Sequence, residues 1–80
     1  MSLLTKREKE IFTLLLKTKT TKEIASILRI SEKTVRNHIS NVIQKLGVTS
    51  RSSAIIELLK TKDLTLLDHI IWSFLYLLTI

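Results

Sequence analysis

Six polar side chains in the stretch TTKEIASILRISEKTVRNHISNVIQKL, Thr20 to Leu46, offer the clearest chemistry in the chain. Lys33, Arg36, Asn37, Ser40, Asn41 and Gln44 fall at i, i+3, i+4, i+7, i+8 and i+11, so a helix through them puts all six on one face. Arg bridges guanine O6 and N7, Asn bridges adenine N6 and N7, and Ser pairs with several base edges. A face chosen only for solubility would hold more Glu and Lys; here the one acid, Glu32, stands at the start. Arg36, Asn37 and Ser40, with Lys33 and Asn41 beside them, are the expected base-reading set. The bland alternative is an ordinary solvated helix face.

Groups suited to phosphate surround that set. Thr21 and Lys22 stand at the start of the preceding helix, where backbone N–H groups also attract anions. Thr34, His38, Lys45 and Arg51 complete the expected backbone contacts, which fix register without reading sequence. A lone histidine such as His38 is more often packed or solvated than a ligand.

The elements that must position these residues are four helices joined by short turns. Thr5 and Glu8 form a capping box for a helix over 6–17, and Thr20 and Glu23 form another for 21–28. Ser31 caps 32–46, with Gly47 at a C-terminal position where positive φ is free of steric cost. Ser50 caps 51–62. The apolar residues repeat accordingly: Ile11, Phe12, Leu14 and Leu15, then Ile24, Ala25 and Leu28, then Val35, Ile39, Val42, Ile43 and Leu46, then Ala54, Ile55, Leu58 and Leu59. Each stripe asks to be buried, which turns the polar face of the third helix outward. The fold class expected is all-α.

Length and composition bound what else is feasible. Eighty residues allow one small domain, burying about 60% of its unfolded surface. There is no cysteine, and two isolated histidines make no zinc site, so neither metal nor cofactor is expected. No nucleophile–base pair and no phosphate-cradling glycine loop appears, which leaves an enzyme the least favoured class. The N-terminus lacks a signal-peptide pattern, and a cytoplasmic location is expected. Net charge is +6, unevenly spread: residues 1–62 hold all thirteen basic residues against five acids, a balance of +8. A basic body suggests a polyanion partner.

The segments LTKREKEIFTLL, TTKEIASIL, ISEKTVRNHISNVIQKLGV and SRSSAIIELL, in this order and spacing, resemble the LuxR-type helix-turn-helix family over about Leu3 to Leu64. The resemblance implies a four-helix domain over 1–63 with its third helix in the major groove. It implies base reading at Arg36, Asn37 and Ser40, and backbone contacts at Thr34, Lys45 and Arg51. It also implies a homodimer paired through the fourth helix, with Ile56, Leu59 and Lys60 at the seam. Many family members carry glycine after the first helix and after the fourth; the corresponding places here are read as Lys19 and Lys62. Most LuxR-type domains are the output half of a longer regulator, so the chain is either a complete small regulator or an output domain.

Residues 64–80 lie outside that pattern. They hold three of the four aromatics and no basic residue, and an apolar C-terminal helix is expected, packing on the body or across a dimer. A membrane anchor is less favoured, because the segment barely meets the spanning length and contains Asp68 and His69. A poorly ordered extension is the third reading. The combined expectation is a sequence-specific regulator that binds double-stranded DNA as a homodimer and recruits or blocks RNA polymerase. The alternatives are a protein-interaction module on the same scaffold and a membrane-tethered regulator.

Overall fold

Four helices, α1 (Lys6–Leu16), α2 (Thr21–Leu28), α3 (Glu32–Leu46) and α4 (Arg51–Lys60), make up the body of the computed structural model, which describes residues 3–61, 64 and 76–78. Each start is set by the side chain that the sequence supplies. Thr5 Oγ1 accepts from the Glu8 N–H at 3.1 Å while Glu8 Oε1 accepts from the Thr5 N–H at 2.9 Å. Thr20 and Glu23 repeat both distances. Ser31 and Ser50 accept from the N–H groups of Thr34 and Ser53 at 3.0 and 3.1 Å. A cap of this kind is worth about 1 kcal/mol.

Three helix ends close in the same way. A left-handed residue turns the chain, its own N–H and the next one reaching back to the carbonyls of the last turn. Gly47 does this at φ +66°, with Val48 N–H donating to Ile43 O. Arg29 does it at φ +57° and Thr18 at φ +64°. The sequence reading put the missing glycine after α1 at Lys19. The left-handed residue is Thr18, and Lys19 follows it, its N–H donating to Leu14 O at 3.1 Å. A β-branched residue in this region is under strain.

Two boundaries move slightly. The first helix ends at Leu16 with Lys17 as its cap, and the fourth ends at Lys60 with Thr61 as its cap. Beyond α4 the Leu58 carbonyl finds a partner in the Leu64 N–H at 3.1 Å. Leu64 is buried and belongs to the core, although by sequence it opens the extension.

α3 lies at the centre and touches each of the other three helices. Ile11 and Phe12 of α1, Ile24 of α2, Val35 and Val42 of α3 and Leu58 of α4 are fully enclosed. Burial of one such side chain contributes about 1.5–3 kcal/mol. Ala25 and Ala54, both buried, keep α2 and α4 close to their neighbours. Of the expected apolar helix, residues 76–78 are described and are helical, with Tyr76, Leu77 and Leu78 exposed. The expectations for Asp68 and His69, and for Lys62, lie outside the described residues. Among the described residues no helix is long and apolar enough to cross a membrane.

Candidate nucleic-acid interface

The inward side of α3 fixes what its outward side can do. Val35, Ile39 and Val42 are buried and Ile43 and Leu46 are half-buried against the body. Rotation of the helix about its axis is thereby locked. On the open side Lys33, Arg36, Asn37, Ser40, Asn41 and Gln44 are all exposed. The structure therefore brings the five expected base-reading residues onto one solvent-facing surface. α2 precedes this helix through the turn Arg29–Ile30, closed by Ile30 N–H donating to Ala25 O at 3.0 Å. The two helices and this tight turn constitute a helix-turn-helix.

The expected backbone-contact residues are less uniform. Lys22 and Arg51 are exposed, whereas Thr21, Thr34 and His38 are half-buried. The Thr34 hydroxyl lies 2.9 Å from that of Ser31, inside the cap of α3. Lys45 holds a partner the sequence reading did not foresee. Its Nζ donates to Glu8 Oε1 at 2.5 Å, joining the last turn of α3 to the first turn of α1. The Glu8 side chain is only 4% exposed and that of Lys45 34%. One carboxylate oxygen thus serves both the cap of α1 and the ammonium.

Electrostatics follow from that geometry. Burial by itself pushes the Glu8 carboxyl upward, but the hydrogen bonds from Lys45 and from the Thr5 N–H, with the ammonium's charge, outweigh it and leave the pKa below the ordinary value. Glu23, in the exposed second cap, is also held low by the Thr20 N–H. At the opposite end of α3, Arg36 Nη1 lies 3.4 Å from Glu32 Oε2. The spacing i, i+4 made this second pair legible, though sequence reasoning assigned Glu32 no role.

Of the expected dimer residues, Ile56 and Lys60 are exposed and Leu59 is half-buried. A groove of about 990 Å³ opens elsewhere, lined by α1 and α2 residues including Leu14, Ile27 and Leu28 together with Tyr76 and Leu77. None of the α3 face residues lines it. Among the described residues no cluster of His, Cys, Asp or Glu is placed to hold a metal ion.

Residues 2–58 match the bacterial regulatory proteins of the luxR family. The chain belongs to that luxR family. It is 69% identical over 64 residues to the spore germination protein GerE of Bacillus subtilis (strain 168), an alignment spanning 80% of this chain and 86% of that protein. A solved structure of the transcription factor GerE superposes with a TM-score of 0.80 at 64% identity, covering 82% of this chain and 98% of that one. The transcriptional regulatory protein DegU of Brevibacillus brevis is 42% identical over 60 residues, but there the match spans only 25% of the relative. A luxR-family helix-turn-helix of the GerE type is a DNA-binding element of transcriptional regulators.

Proposed function

We propose that this luxR-family protein regulates transcription by binding specific double-stranded DNA as a homodimer, with α3 in the major groove. Arg36, Asn37 and Ser40 read base edges, flanked by Lys33 and Asn41. Thr21, Lys22, Thr34, His38 and Arg51 hold the phosphate backbone. Lys45 joins them, since one ammonium N–H goes to Glu8 and two more are available to phosphate. Ile56, Leu59 and Lys60 of α4 form the dimer seam, and Ile56 gives that seam an exposed apolar centre. Two recognition helices related by a two-fold would meet half-sites roughly 10 bp apart. RNA polymerase is the protein partner, recruited or blocked, and the protein acts in the cytoplasm. The name of its GerE relative supports a role in the spore programme.

One observation carries this reading: the guanidinium, amide and hydroxyl tips of α3 project to solvent while Val35, Ile39 and Val42 on its other side are sealed. The test is a salt series with a selected duplex and a scrambled one. The selected duplex should bind far more tightly, with log K falling linearly in log salt for both. Equal, salt-insensitive affinity for the two duplexes would reject the proposal and favour an interaction module on the same scaffold. Lys45→Met should reduce the salt slope by about one and weaken both duplexes alike.

A further inference from the structure

Resting on the reading of α3 as the recognition helix, we infer that Glu32 and Arg36 act together as a two-residue reader of one G·C base pair. Glu32 occupies the first position of α3, the end from which recognition helices contact bases. Its Oε2 lies 3.4 Å from Arg36 Nη1, and the two side chains are 44% and 54% exposed. A donor and an acceptor are thus held side by side on the open face.

The major-groove edge of a G·C pair presents the complementary arrangement. Guanine offers O6 and N7 as acceptors, and the cytosine N4 amino group is a donor next to O6. Those two groups hydrogen-bond to one another across the pair at about 3 Å. The protein pair has nearly the same spacing, so it meets the base pair without having to come apart. Arg36 keeps further N–H groups for O6 and N7 while one remains on Glu32. Glu32 keeps Oε1 for the second hydrogen of cytosine N4, the contact by which carboxylates read cytosine.

Direction is read as well as composition. A C·G pair in the same place turns guanine's acceptors toward the carboxylate, and an A·T pair sets thymine O4 against it; a T·A pair offers Arg36 the single acceptor O4 in place of guanine's two. Near phosphates a carboxylate is repelled unless a donor meets it, so Glu32 discriminates largely by rejecting the wrong partner. The plainer role of Glu32 is to favour the α3 N-terminus and steady Arg36 as an i, i+4 pair. That role contributes to folding and leaves base choice untouched, which makes the two separable.

The experiment uses the full chain, its Glu32→Ala and Arg36→Ala variants, and the duplex that selection from a random pool returns for the wild type. In a second duplex the cytosine opposite the guanine assigned to Arg36 is replaced by 2-pyrimidinone, which lacks the N4 amino group. Loss of that group should weaken wild-type binding about tenfold and leave Glu32→Ala binding unchanged. Because both proteins meet the same two duplexes, any effect on the duplex itself cancels. Circular dichroism melting confirms that the variants are folded, and Glu32→Gln, which keeps the side chain's shape, should relax the choice of orientation at the same position. Equal loss in wild type and Glu32→Ala, or no loss in wild type, would overturn the inference while leaving α3 as the reader. Unaltered base choice in Arg36→Ala would instead defeat the reading on which it rests.

Discussion

The two ends of α3 each carry an ion pair, and the pairs have opposite characters. At the C-terminal end Lys45 reaches the carboxylate of Glu8, 37 residues away in sequence and nearly enclosed. At the N-terminal end Glu32 and Arg36 are one turn apart and about half exposed. Burial separates scaffold from instrument. A carboxylate removed from water must keep its partner, so the Glu8–Lys45 pair ties α3 to α1. An exposed pair is worth little to folding and is free to meet something else.

The largest effect on folding should come from breaking the enclosed pair. Lys45→Met leaves Glu8 with its capping contacts alone, and a loss of about 2 kcal/mol is expected. That value lies between those typical of exposed and fully buried pairs, because the Lys45 side chain is about a third exposed. Thermal or urea unfolding measures it, and a loss near zero would erase the contrast between the two ends. Acid sharpens the same point. The folded Glu8 carboxyl titrates below its unfolded value, so it contributes stability that is complete above the ordinary carboxylate range and is lost as pH falls through the lowered folded pKa. Unfolding free energies measured across the acid range should therefore fall less steeply in Lys45→Met than in wild type.

At the other end the expected effect is on binding. Arg36→Ala should weaken the selected duplex by about 1–3 kcal/mol and relax base choice at one position, with melting nearly unchanged. A matched loss on scrambled DNA would recast Arg36 as a backbone contact. Thr18→Gly provides a site belonging to neither pair: relief of the left-handed strain should raise stability by about 1 kcal/mol and leave DNA affinity alone. The smallest effect is that of Glu32→Gln on folding, at most about 0.5 kcal/mol by denaturant titration. A cost matching that of Lys45→Met would mean that both pairs are scaffold.

The helix starts were legible because Thr5, Thr20, Ser31 and Ser50 act through hydrogen bonds three residues long. The inward stripe of α3 was legible because its 3.6-residue period is local, and the exposed face followed from it by exclusion. The Glu8–Lys45 pair was hidden for the converse reason: it depends on how α1 lies across α3, which no local pattern encodes. The capping box accounted for Glu8 so fully that nothing pointed to a second task. Thr18 was missed because the strained residue of such a turn is fixed by carbonyl geometry at the helix end, and a neighbour one place along looks equally eligible in sequence.

Whether the open face of α3 reads bases is tested most directly by selection of bound sequences from a random duplex pool, run side by side on wild type and Arg36→Ala. Wild type should enrich a pair of related half-sites roughly 10 bp apart, and Arg36→Ala should lose preference at one position within each. No enrichment by the wild type, or the same enriched site from both proteins, would contradict base reading by this face.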